Sequence, residues 1–281
     1  MRPVETLLVV ANLLTFVVVA VPRLRALHWS GYVVPIAFLI AIIQVVVEGP
    51  RWQMIPAYAL TVLFFLIWLL GIVKPSGIHV NRFIAGTGVG LAVLVLGASI
   101  ALPIVIPVFH FPKPTGPYQI GTVTYHWVDM SRREIFSTDP NAHRELMAQV
   151  WYPAKGDSSS ARASYVQDAG TLSSAAAGAL SSAGVIHLPG FFFDHFQYVT
   201  TNAIPSAPMA DSQSSYPVLI YLTGIDGFRS VSTFQVEELV SHGYIVVGID
   251  QPYVCVGSFS RRTLHNRIDE ASDTASYRSE H

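Results

Sequence analysis

The residue types best suited to chemistry in this chain gather in the loop Thr223 to Arg229 (TGIDGFR), which lies between two apolar runs. Gly224 and Gly227 let a main chain turn sharply and approach a ligand closely, and the amides of such a loop can stabilise an oxygen that gains negative charge. The same glycines also suit a plain tight turn. Serine, aspartate and histidine recur towards the carboxyl end, at His265, Asp269, Asp273 and His281 among others. The polar sequence around them has nothing with which to bury and orient an imidazole, so no acyl-transfer triad is expected there. His187, Asp194 and His195 follow no metal-ligand spacing and read as surface or hydrogen-bonded polar residues; neither a metal nor a cofactor is expected. Cys255 is the only cysteine, which excludes an internal disulfide and a zinc cluster and suits a small buried apolar residue. His242 falls where a helix should end, a place that favours positive charge.

A strand, a glycine loop, a helix and a second strand must position that loop. Pro217 to Leu222 and Tyr244 to Ile249 are continuous apolar runs of the kind carried by strands covered on both faces. Between them Ser232 or Thr233 can cap a helix, Phe234, Val236, Leu239 and Val240 supply its sheet-facing side, and Gly243 ends it. Such a crossover joins parallel strands and leaves the loop after the first strand at the carboxyl end of the sheet, where ligands bind. Upstream, Tyr118 to Asp129 and Glu145 to Tyr152 read as strands, with Asp139-Pro140-Asn141 as turn chemistry between them. Pro153 to Ser215, with its small-residue tract Ser173 to Gly184, reads as helix mixed with irregular chain. Val185 to Val199 (VIHLPGFFFDHFQYV) is too apolar to remain in water.

The first part of the chain is of another kind. With 51% hydrophobic and 12% charged residues the whole is too oily for an ordinary soluble domain, and nearly all of the excess precedes Lys113. Thr6 to Pro22, Ala26 to Val47, Trp52 to Val73 and Phe83 to Pro112 contain no Asp, Glu, Lys or Arg. A helix needs about 20 apolar residues to cross a bilayer, so these predict membrane helices over about 6–22, 29–47, 53–73 and 83–109. They carry no ionisable group at mid-depth, which argues against transport. Gly86, Gly88, Gly90 and Gly97 offer a surface for close helix packing, and Gly97-Ala98-Ser99 places Ser99 inside that helix as a packing residue. Arg23, Arg25, Lys74 and Arg82 fall on one side of the membrane and Arg2, Arg51 and Lys113 on the other, a balance that puts the soluble region outside the cytoplasm. HFPKPTGP, His110 to Pro117, breaks the last helix. The expected organisation is a transmembrane region at 1–112, a folded region at 113–257 and a polar, disordered tail at 258–281. A net charge of −1 and a pI near 6.8 leave no basic surface for nucleic acid.

Three stretches carry a resemblance: TGPYQIG at Thr115 to Gly121, QVWYP at Gln149 to Pro153, and Pro217 to Tyr253 with its GxxGFR loop, EELVSHGY helix end and IDQPY strand end. Together they resemble the α/β-hydrolase fold, in particular the platelet-activating factor acetylhydrolase-like family in a membrane-anchored form. The resemblance implies an all-α transmembrane bundle followed by a partial α/β-hydrolase domain with a mostly parallel sheet. It also implies an ester of lipid type or a small ester as substrate and the lipid bilayer as partner. In that family the loop carries His-Gly-Leu or Pro-Gly-Leu, and the residue after the glycine donates its amide to the oxyanion. Here the loop is Thr223-Gly224-Ile225, so Ile225 is the implied donor, Gly224 the residue that admits the ester, and Thr223 a departure.

The family attacks with a serine on a G-x-S-x-G elbow, and these 281 residues hold no such sequence. After Gly257 the chain turns polar and rich in serine and arginine. The catalytic serine, acid and histidine are therefore expected to be missing, as in a chain shortened by an early stop or a shifted frame, with an open apolar sheet edge left behind. An esterase inactive in this form is one reading; a non-catalytic polytopic membrane protein or pseudoenzyme fragment is the alternative.

Overall fold

A computed structural model describes residues 1–73, 82–135, 139–156, 160–167, 169–182, 184–224, 227–251 and 255, with side chains at 82–85, 179 and 182 not described. The chain divides into two units, Met1–Val108 and Phe109–His281.

The first unit holds α1 (Pro3–Ala20), a short α2 (Pro22–Arg25), α3 (Ser30–Val47), a 3₁₀ turn at Trp52–Met54 that runs into α4 (Ile55–Val73), and α5 (Arg82–Val105). Four helical segments, Pro3–Ala20, Ser30–Val47, Trp52–Val73 and Gly86–Val105, are long and apolar enough to cross a membrane. Their outer surface is itself apolar, with Ile36, Val46, Leu66 and Leu94 all exposed, a pattern that suits hydrocarbon and would be costly in water. Inside, Leu8, Met54 and Ala57 form one cluster and Val34, Leu60, Phe64 and Leu96 another. Asn12 Nδ2 donates to Ala57 O at 3.1 Å and Thr61 Oγ1 to Asn12 Oδ1 at 2.9 Å, so the buried amide is satisfied within the unit. Helix α1 starts at Pro3 rather than Thr6: proline suits the first turn, and the Glu5 carboxylate accepts the Arg2 amide at 2.9 Å. The glycines of α5 depart from expectation. A Cβ added at Gly86, Gly88, Gly90 or Gly97 would meet nothing within 4 Å, so among the described residues no helix packs closely on them. Ser99 is buried and donates to Val95 O at 2.8 Å, one turn back in its own helix.

The second unit is built on β1 (Gln119–Arg133), β2 (His143–Ala154), α6 (Ala169–Ser182), β3 (Ile204–Pro205), β4 (Val218–Leu222), α7 (Thr233–Ser241) and β5 (Ile245–Asp250). β1 and β2 are an antiparallel hairpin, and its turn is set by Asp139, whose Oδ1 accepts the Asn141 amide at 2.9 Å. The strand order is β3-β1-β2-β5-β4; β4 runs parallel to β5 and β3 to β1, while β2 opposes both β1 and β5. Only β2 is reversed, so the sheet is mostly parallel. Ile120, Trp151, Ala163, Ala203, Val236, Val240 and Val246 make the core between α7 and one sheet face.

Two sequence expectations change here. β4 is not covered on both faces: it lies at the sheet edge, Val218, Ile220 and Leu222 are exposed, and among the described residues no helix lies over their side. Helix α7 does not bury Phe234 or Leu239, which are 53% and 38% exposed. Its buried stripe is Thr233, Val236, Glu237, Val240 and Ser241, the strict i, i+3, i+4, i+7, i+8 series. Of the four apolar residues expected to face the sheet, Val236 and Val240 do so, while helical spacing rather than apolar type picks out the rest of the stripe. Glu237 belongs in that stripe because its carboxylate accepts the amides of Asn202 at 2.7 Å and Ala203 at 3.1 Å and Asn202 Nδ2 at 2.8 Å.

Candidate functional site

The glycine loop leaves β4 at its carboxyl end. Thr223 is buried, with Oγ1 2.7 Å from Cys255 Sγ, and the same sulfur accepts the Gln251 amide at 3.1 Å just past the end of β5. Gly227 N donates to Gly224 O at 3.1 Å, which closes a tight turn. A Cβ on Gly227 would lie 3.0 Å from Thr223 Cβ and 3.2 Å from Gly224 O, whereas a Cβ on Gly224 would meet nothing within 4 Å. A side chain at Gly227 would thus crowd the turn, and Gly224 leaves free space beside the main chain. Ile225, the implied oxyanion donor, lies outside the described residues.

The far end of the loop is clamped to the neighbouring strand by charge. Arg229 and Asp250 are both buried; the Arg229 amide donates to Asp250 Oδ1 and Arg229 Nη1 to Oδ2, and Arg229 Nη2 lies 3.4 Å from Gln167 Oε1. Asp250 is the last residue of β5, so one carboxylate ties the loop after β4 to the end of the parallel strand beside it. The seat is close: a Cβ on Gly248 would come within 2.9 Å of Trp151 Cζ3 and 3.1 Å of Arg229 O. Phe228 adds an edge contact to Tyr165, whose hydroxyl burial pushes up to about 12.

Burial also raises the carboxyl of Asp250 above the usual range despite the Arg229 guanidinium, and it raises that of Glu237 despite the Asn202 and Ala203 donors. An acid whose folded value is raised holds its proton more tightly when folded. Its contribution to stability is full below the ordinary carboxylate range and is lost as pH rises through the folded value. The expected result is a thermal midpoint of the second unit that falls as pH rises across that window. Glu237→Gln flattens the slope and leaves the share that belongs to Asp250. Melts of both proteins at several pH values check this, and an unchanged slope in the variant would exclude Glu237 as a source.

The other candidate residues do not assemble. His187 Nδ1 is 2.5 Å from Ser181 Oγ, buried His195 has Nδ1 3.2 Å from Phe192 O, and among the described residues no three His, Cys, Asp or Glu side chains gather. His242 ends α7 as expected, 3.1 Å from Glu238 Oε1 and 3.1 Å from Thr115 Oγ1. His265, Asp269, Asp273 and His281 lie outside the described residues. Sequence reasoning missed the Arg229–Asp250 pair and the Thr223–Cys255 contact. The available signal was position: a basic residue closing the loop after one parallel strand and an acidic residue closing the next strand must be adjacent.

A glycine loop at the carboxyl end of one parallel strand, followed by a crossover helix and a strand that anchors the loop, is an arrangement by which α/β sheets, those of the α/β-hydrolase type among them, place a ligand-facing loop. A family model described as platelet-activating factor acetylhydrolase, isoform II, matches residues 104–259, and the chain belongs to that family. Among solved structures it is similar to a ferulic acid esterase from Streptomyces cinnamoneus, at 28% identity and a TM-score of 0.42, over 53% of this chain and 38% of that one. The chain therefore spans well under half of that esterase. No curated protein matches it.

Proposed function

We propose that this chain is a membrane-anchored member of a carboxylic ester hydrolase line, related to enzymes that cleave lipid esters, and that these 281 residues do not themselves turn an ester over. The observation that carries the reading is the clamped glycine loop, held at the carboxyl end of β4 by Arg229 and Asp250 within a family-matched stretch. In this reading the Ile225 amide donates to the tetrahedral oxyanion and Gly224 leaves room for the acyl group. One such donor is worth about 3–4 kcal/mol of transition-state stabilisation. It acts only once a nucleophile has attacked, and the sequence supplies no G-x-S-x-G serine to do so. The four apolar helices hold the unit at a bilayer, with the second unit outside the cytoplasm.

The test is the purified chain in detergent micelles with a chromogenic short-chain ester. The expected rate equals that of heat-denatured chain. Hydrolysis that requires the folded protein would overturn the assignment of inactivity and demand a nucleophile outside the elbow.

A further inference from the structure

The two ends of the helical unit handle positive charge in opposite ways. At one end the start of α1, the end of α3, the start of α4 and the end of α5 come together, and every arginine there is used internally. Arg51 donates through Nε and Nη2 to both Glu5 oxygens at 2.7 Å each and through Nη1 to Ile106 O at 3.1 Å. Arg2 Nε donates to Glu5 Oε1 at 2.8 Å, its Nη2 donates to Gly49 O at 3.0 Å, and its Nε lies 3.8 Å from Glu48 Oε2. The Arg51 side chain is 1% exposed, and two arginines face two glutamates, so neither arginine at this end is free to meet a lipid headgroup.

At the other end, marked by Trp68 Nε1 donating to Gly31 O at 3.1 Å, the residues behave differently. Arg23 and Arg25 are exposed, form no ion pair among the described residues, and stand beside exposed Leu27, Trp29 and Tyr32. Free guanidiniums next to aromatic rings at the rim of an apolar bundle have the chemistry of an anionic headgroup contact: charge for the phosphate, rings for the layer beneath.

We infer that the Val21-to-Tyr32 segment is a contact for anionic phospholipid, and that this contact, rather than the neutralised end, fixes which leaflet each end of the bundle occupies. The inference rests on the reading of the four helices as membrane spans. Counting basic residues alone sets Arg23, Arg25, Lys74 and Arg82 against Arg2, Arg51 and Lys113; removing the internally paired Arg2 and Arg51 leaves Lys113 as the only remaining basic residue on the opposing side of that comparison. Among the described side chains of the bundle, the bias is therefore stronger than the sequence count implies.

The experiment uses the full chain in nanodiscs of phosphatidylcholine alone and of phosphatidylcholine mixed with phosphatidylglycerol, followed by measurement of the phosphatidylglycerol retained per chain after detergent extraction. At about fivefold per basic residue near an anionic surface, the double variant R23Q/R25Q should retain phosphatidylglycerol about thirty-fold more weakly. R23K/R25K should keep the preference, and R2Q, at the neutralised end, should not alter it. Equal retention by wild type and R23Q/R25Q would overturn the contact while leaving the membrane spans intact. Failure of the wild-type chain to enter nanodiscs of either composition would overturn the spans, and the contact with them.

Discussion

Asp250→Ala should cost the second unit about 3–5 kcal/mol, because it leaves the buried Arg229 guanidinium without its carboxylate. The loss has two parts. The guanidinium keeps its charge at any accessible pH, so it cannot escape by deprotonation. The Arg229 amide also loses its acceptor, and with it the tie between the loop after β4 and the end of β5. Yet the pair is not a strong source of net stability, since burial raises the Asp250 carboxyl against the pull of Arg229. Removing both charges, as in R229M/D250L, should therefore recover most of the loss. Pulse proteolysis in urea on the full chain in micelles, read on the 109–251 segment, measures both. A single variant within about 1 kcal/mol of wild type, or a double variant as unstable as the single, would mean that the clamp does not hold the loop.

That clamp also shows where sequence reasoning stops. The runs Pro217 to Leu222 and Tyr244 to Ile249 announce strands and Gly243 a helix end because short-range chemistry dictates them, and β4, α7 and β5 lie where those signals place them. Gly243 has a φ of +96°, the backbone state that favours glycine. Pairing across the sheet is a different kind of information. Asp250 meets Arg229 only because β4 and β5 are parallel and adjacent, and nothing local to either residue states it. The buried Glu237 was missed for a related reason: its partners, Asn202 and Ala203, reach it from a loop far away in sequence. In the helical unit the apolar stretches were legible from composition, whereas the Glu5–Arg51 pair joins residues whose neighbours in sequence give no sign of the other. Exposure of β4 was misjudged because an apolar run states what a strand prefers and not whether anything covers it.

Trp151→Ala is expected to be the other severe change, at about 3–5 kcal/mol. Trp151 is 1% exposed at the centre of the core with Ile120, Val236, Val240 and Val246, and its ring lies on the bare main chain of Gly248. Truncation opens a large cavity that a sheet pinned by its ladders cannot close. The indole N–H has no acceptor among the described residues, so Trp151→Phe gives up some packing but also removes an unpaired buried donor. It should lose less than half of what alanine loses. The position of the ring adds a consequence for the loop. Gly248 stands between Trp151 and the Arg229 carbonyl, so the cavity left by alanine lies directly beneath the clamp. W151A and D250A should then fail to add, with a coupling of about 0.5–3 kcal/mol in the double variant, the signature of two residues that support one seat. Strict additivity would mean that the core and the loop are held independently, and that the clamp positions the glycine turn without help from the sheet beneath it.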